Sequence, residues 1–185
     1  MSDYSPVSYQ FVVSGWHDFY IVAGTASATL AGLLFVALSL HLRIVVASAD
    51  VRSLARVTLA NFGAVLFLAL FMMIPEAPAA AASQLIGVGL VSIVVTVPSL
   101  VGAAKGRGRT LRFMRLQRLV LRFGLSGLSY LTIIVAGILL LASLDSAFIW
   151  LVIATVVLLL ISLRNTWDLL VTVGDATLGG QAELD

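Results

Sequence analysis

The residues in this 185-residue chain whose type and spacing most suggest chemistry are arginines. Arg109, Arg112, Arg115, Arg118 and Arg122 recur every three or four residues, with Leu, Phe, Met and Val filling much of the rest of the stretch. Arginine at every third position is the pattern of a voltage-sensing helix, in which each charge moved through the field carries ~2.3 kcal/mol per 100 mV. Two features oppose that chemistry. No Asp or Glu lies in the middle of another apolar run to pair with the arginines, and a complete apolar run follows from Phe123. At ~100° per residue the arginines spiral over about half the helix circumference. That distribution suits a helix lying at the inner membrane surface. There it would bind anionic lipid headgroups at ~1 kcal/mol per basic residue, or a protein or nucleotide partner. The segment 105–122 is therefore expected to be a basic cytoplasmic helix.

A second constellation lies on the first apolar run. Asp18, Val22, Thr25, Thr29, Gly32, Val36, Ser39 and Arg43 follow alternating steps of three and four, so a helix puts them on one face. The face is acidic at one end, small or hydroxylated in the middle and basic at the other. Asp18, Thr25, Thr29, Val36, Ser39 and Arg43 could line a path in a ring of subunits. They could equally face lipid, because Ser and Thr hydroxyls bond back to helical carbonyls. Gly24, Ala28 and Gly32 recur every four residues and form a small-xxx-small groove that lets another backbone approach closely. Its partner is either a helix of the same chain or a second copy. Asn61 sits inside the second apolar run. A buried amide needs partners, and the expected role is a clamp to a Ser or Thr on a neighbouring helix.

The inventory of catalytic groups is short. His17 and His41 stand at opposite ends of one helix, so they cannot share a metal within one chain. Neither H-E-x-x-H, G-x-S-x-G nor a Walker sequence occurs. Cysteine is absent, which excludes disulfides, thiolate catalysis and cysteine metal sites. The expectation is a non-enzymatic protein without metal or cofactor and without a nucleic-acid partner.

The elements that must position these residues are membrane helices. Hydrophobic residues make up 61% of the chain and charged residues 11%, against roughly 25% charged in soluble domains. Mean hydropathy is +1.10. Five apolar runs, at about 19–42, 57–74, 84–104, 123–143 and 147–167, are each near the ~20 residues that one crossing requires. Pro98 falls inside the third run, where a lost amide donor predicts a kink. Residues 1–15 read as a short tail, with Ser14 as the cap of a helix starting at Gly15 or Trp16. Residues 174–185 read as a disordered acidic tail.

Charge sets the threading. All eleven basic residues fall in the first loop, in the third loop or at the end of the fifth run. Basic residues beside a span stay cytoplasmic. The expected architecture is all-α: a polytopic transmembrane helical bundle of five spans, N-terminus outside, C-terminus cytoplasmic. Ten of the eleven basic residues are Arg, and Ala and Gly are abundant. This composition points to a GC-rich bacterial genome and a multi-pass protein of the bacterial cytoplasmic (inner) membrane.

The stretch Trp16-His17-Asp18-Phe19-Tyr20, followed by Ala26-Ser27-Ala28-Thr29-Leu30-Ala31-Gly32-Leu33-Leu34-Phe35-Val36-Ala37-Leu38-Ser39-Leu40, resembles small bacterial membrane proteins labelled modulators of the FtsH protease. The resemblance covers the first helix and implies a non-enzymatic partner of a membrane-anchored protease. The surroundings of Leu30-Ala31-Gly32 also resemble the pore helix of Orai-type calcium channels. Ser39 stands near where that family's acidic selectivity residue would be sought, and no comparable glutamate is present. The leading expectation is an inner-membrane protein that self-associates or joins a membrane complex, with anionic headgroups as lipid partners. The alternative is an oligomeric channel or transporter subunit whose first helix lines the path.

Overall fold

A computed structural model describes residues 6–74, 77–105, 124–142 and 146–182. Among the described residues all regular structure is helical: α1 (Pro6–Leu40), α2 (Leu42–Ala47), α3 (Ala49–Met73), α4 (Pro78–Lys105), α5 (Leu125–Leu141) and α6 (Ser146–Ala182). Four stretches are long and apolar enough to cross a membrane: Val13–Leu40, Val51–Met73, Pro78–Ser99 and Ser146–Gly174. These lengths and compositions are those of a membrane protein. α5 is shorter, with 17 residues, or about 25 Å at 1.5 Å per residue.

Local chemistry explains several helix ends. α1 starts at Pro6, a residue suited to a first turn because its missing N–H has no intrahelical role there. The helix thus begins well before the expected start. Ser14 is not its cap. It lies inside α1 and donates to the Phe11 carbonyl at 2.7 Å. Ser48 caps α3 by accepting from the Val51 amide at 3.3 Å. α3 ends at Met73, and Ile74 is extended (φ −82°, ψ 125°), as the residue before a proline must be. Pro78 opens α4 in the same manner as Pro6. Pro98 lies within α4, which continues through it to Lys105.

α6 runs to Ala182, through most of the stretch expected to lack structure. Leu169 and Val173 are buried against α1, α2 and α3, which carries the helix past its apolar run as far as Gly174. Nothing in the sequence explains the remaining turns. Residues 183–185 lie outside the described set.

α3, α4, α5 and α6 form a ring: α3 packs on α4, α4 on α5, α5 on α6, and α6 returns to α3. α1 stands outside the ring along α3, with a minor contact to α6. One end of the ring holds Ile74, Ala77, Ala142 and Ser146 and is called the hairpin end below. The other is the α2 end. Arg43, Arg52, Arg56, Lys105 and Arg164 all lie toward the α2 end.

Lipid tails are as apolar as Leu, so such helices are held by close packing and hydrogen bonds rather than by escape from water. The α4–α5 contact depends on two glycines. A Cβ on Gly89 would stand 2.5 Å from Ile134 Cγ1 and 3.0 Å from the Tyr130 carbonyl oxygen. A Cβ on Gly137 would stand 2.9 Å from Ile86 Cγ1 and 3.0 Å from the Ala82 carbonyl oxygen. Large apolar side chains such as Phe35, Val94, Leu131 and Leu160 point outward, where acyl chains would solvate them.

Candidate functional site

The ring's interior changes character along its axis. Each helix sends one stripe of buried residues inward, spaced by three or four. From the hairpin end, α3 contributes Leu68, Val65, Asn61 and Thr58, and α4 contributes Leu85, Val88, Ser92, Thr96 and Ser99. α5 contributes Ala136, Ile133, Tyr130 and Ser126, and α6 contributes Leu151, Thr155, Leu158, Ser162 and Asn165. The α3, α4 and α5 stripes pass from apolar to hydroxyl or amide, and the α6 stripe does so after Leu158, with Thr155 as an earlier hydroxyl. Counted from the hairpin end at 1.5 Å per residue, the change falls about 15–20 Å deep. Among the described residues Thr155 is the one buried hydroxyl of these four helices in the hairpin half, and it donates to the Leu151 carbonyl at 2.7 Å. The hairpin half also holds the buried Oε1 of Gln84 and is otherwise filled by an apolar cluster that includes Leu68, Leu85, Ile133, Phe148 and Leu151.

Asn61 organises the upper edge of the polar half. It is fully buried. Its Nδ2 donates to Ser126 Oγ at 3.1 Å, and Tyr130 Oη donates to its Oδ1 at 2.5 Å. One amide thus bonds two positions on α5, one turn apart. Beside it, Ser27 on α1 donates to the Phe62 carbonyl at 2.7 Å, which ties the outer helix to the ring at the same level. Several other hydroxyls are satisfied within their own helices: Thr58 bonds the Leu54 carbonyl, Thr96 the Ser92 carbonyl and Ser129 the Leu125 carbonyl.

Asn165 is different. It is fully buried, and neither Nδ2 nor Oδ1 has a hydrogen-bond partner among the described residues. The same holds for Ser162 Oγ, one turn away on α6, and for Ser99 Oγ on α4. An amide left without partners in an apolar medium costs roughly 2–7 kcal/mol, and the penalty is felt fully where no bulk water can reach. No charged residue belongs to the four inward stripes, so this half of the interior is polar but neutral.

The residues singled out on the first helix divide between two environments. Gly24 is buried, and a Cβ there would meet Ala69 Cβ of α3 at 3.0 Å. It is therefore occupied by packing inside the chain. Ala28 and Gly32 are exposed, and nothing lies within 4 Å of a Cβ built on Gly32. The 40° drift of an i, i+4 row on a 3.6-residue helix separates them from Gly24.

Asp18, Thr25, Thr29, Val36, Ser39 and Arg43 are all exposed and face away from the ring. Thr29 donates to the Thr25 carbonyl at 2.9 Å and Ser39 to the Phe35 carbonyl at 2.5 Å. Within one chain this stripe encloses nothing. His17 Nδ1 lies 3.7 Å from Asp18 Oδ1, and both side chains are solvent-accessible. Arg109, Arg112, Arg115, Arg118 and Arg122 lie outside the described residues.

An outward groove of about 450 Å³ runs between α3 and α4, lined by Ala60, Gly63, Phe67, Gly87, Val91 and Val95 among others. It is almost wholly apolar.

Sequence reasoning singled out Asn61 but not the polar half-core around it. The available signal was the pairing of Ser and Thr with the apolar stripe at helical spacing, as in Leu85–Val88–Ser92–Thr96–Ser99. On a single helix that pattern is commonplace. Only the ring shows that α3, α4 and α5 change at a similar level, with α6 following after Leu158.

Comparison with protein-family models, with curated proteins and with solved structures finds no match to the chain.

Proposed function

We propose that this chain is a non-enzymatic, five-span protein of a bacterial inner membrane, N-terminus outside and C-terminus cytoplasmic, that associates with a second copy through the outward face of α1. The observation that carries this reading is the position of α1. It is the only long helix outside the ring among the described residues, it rests mainly on α3, and its free face carries the small residues Ala28 and Gly32 among larger exposed side chains such as Val22, Leu33 and Phe35. Small residues let helix backbones approach closely enough for dispersion and weak hydrogen bonds to hold two helices together in lipid. The five-span count is supported by α5, which is short but packs between α4 and α6. The orientation is supported by the five basic residues of the described helices that gather at the α2 end.

The test replaces Ala28 and Gly32 with Leu and measures crosslinking in membranes and migration in mild detergent. Loss of the dimer with retained helicity supports the reading, and an unchanged assembly overturns it. The likeness of Trp16–Leu40 to modulators of FtsH makes a membrane-anchored protease the heterologous partner to test, by co-purification with and without those substitutions. A channel subunit is the second reading, favoured by the hydroxyls and terminal charges of the same outward stripe. It requires α1 to face the centre of a ring of copies. Absence of ion flux in liposomes under any gradient or voltage, for a folded protein, removes it. The arginine segment 109–122 is proposed to bind anionic headgroups on the cytoplasmic face.

A further inference from the structure

We propose that the outward groove between α3 and α4 holds one acyl chain of a membrane phospholipid. The groove has a volume of about 450 Å³ and an almost wholly apolar lining. It lies on two stretches long and apolar enough to cross a membrane, Val51–Met73 and Pro78–Ser99. On an outward face between such stretches the occupants at hand are hydrocarbon chains and other helices. Occupancy follows from the membrane placement of α3 and α4 and is independent of the α1 contact between copies.

The floor of the groove is made by residues without bulk: Ala60 and Gly63 on α3 and Gly87 on α4. A Cβ built on Gly63 or Gly87 would meet nothing within 4 Å. Gly89 is only two residues beyond Gly87, but that is about 200° around the helix. Its missing Cβ admits α5, whereas that of Gly87 leaves open space. The rims are bulky. Phe67, Val91 and Val95 are 53%, 63% and 40% exposed. Phe67 stacks on Phe71, with ring centroids 6.3 Å apart and planes at 30°, which makes one wall continuous over a helical turn.

Size decides between the occupants. The lining runs over residues 60–71 of α3 and 84–95 of α4, each about 17 Å long at 1.5 Å per residue. A helix of that length and ~10 Å diameter fills about 1,300 Å³, nearly three times the groove. A second helix could bind only by bringing its backbone down to the small residues, and the Phe67, Val91 and Val95 rims hold it off. A single hydrocarbon chain passes between the rims and reaches the floor. Left empty, the walls would lose their dispersion contacts on that side. Lipid tails are as apolar as the lining, so no escape from water drives the chain in. The groove selects by shape.

The test uses the full-length protein in phosphatidylcholine nanodiscs that contain a small share of phosphatidylcholine with a diazirine on one acyl chain. Irradiation is followed by mass-spectrometric mapping of the crosslinked residues. Phe67 and Val91 are compared with Leu131 and Leu160, which are 52% and 62% exposed on α5 and α6. The expected result is an excess of about twofold at Phe67 and Val91, because a chain in a groove has protein on two sides rather than one. Gly63→Leu combined with Gly87→Leu fills the groove and should remove the excess. If that variant does not fold, Gly87→Val serves in its place. Ala28→Leu and Gly32→Leu should leave the excess intact, so that failure of the α1 contact and failure of the groove are distinguishable.

Equal yields at all four positions would overturn the proposal, as would an excess that survives filling of the groove. Protection of Phe67 and Val91 from lipid, with crosslinks between copies at those residues, would assign the groove to a second copy and overturn it. Loss of the excess on adding a polyprenol, but not on adding the same share of unlabelled phosphatidylcholine, would assign it to an isoprenoid and overturn it too.

Discussion

Removing the Asn61–Tyr130 hydrogen bond should reveal an interaction energy that neither residue carries alone. Asn61 is fully buried and bonds Ser126 and Tyr130 on α5. Interhelical hydrogen bonds in membranes average about 0.6 kcal/mol and reach about 1.7. Asn61→Ala breaks two, for about 1–3 kcal/mol before any cavity is counted. Tyr130→Phe breaks one and keeps the ring, for about 0.6–1.7 kcal/mol on the same scale. In the double variant that bond is absent once rather than lost twice. The cycle should therefore show coupling of about 0.6–1.7 kcal/mol, a three- to twenty-fold effect on the unfolding constant. Steric trapping in bicelles measures unfolding under conditions where the bundle is intact. Additivity within about 0.3 kcal/mol, the behaviour of independent sites, would refute the claim that Asn61 links α3 to α5.

Further outcomes follow from the same packing. Gly89→Ala should destabilise the bundle by about 1–3 kcal/mol, as overpacking does, because its Cβ would collide with Ile134 and the Tyr130 backbone. Gly32→Ala, with open space at that position, should leave the unfolding constant unchanged in the same assay. Substituting Arg109, Arg112, Arg115, Arg118 and Arg122 with Ser should weaken association of the protein with anionic lipid by ~1 kcal/mol per residue. Annular lipid selectivity in nanodiscs checks it, and equal selectivity in wild type and variant would remove the arginines from lipid binding.

Hydropathy made the membrane helices legible, because runs near 20 apolar residues have few other uses. The helix ends were less so. Pro6 was available as a start signal, yet Ser14 beside an apolar run looked like the stronger cap. The arrangement in space was not legible at all. α3, α4, α5 and α6 have no distinguishing composition that marks them as the ring, nor does α1 carry one that places it outside. Gly24 and Gly32 look equivalent in the sequence. The pitch of the helix turns one onto Ala69 and the other away from the chain. Asn61 stood out as an amide more than a turn inside an apolar run. Asn165 escaped notice because it sits beside Arg164, in what reads as the charged end of the last span. Its full burial depends on which way α6 is rotated against its neighbours.

Threading through the membrane is the central claim, and the absence of cysteine from the sequence permits a direct measurement. Single cysteines at Phe11, Ala47, Ala77 and Thr172 sample the start of α1, the α2 end, the 74–77 connection and the late part of α6. Intact bacterial cells are treated with a membrane-impermeant maleimide, then compared with permeabilised ones. The account predicts labelling of Phe11→Cys and Ala77→Cys from outside, and of Ala47→Cys and Thr172→Cys only after permeabilisation. Labelling of Phe11→Cys and Thr172→Cys from the same side would contradict it.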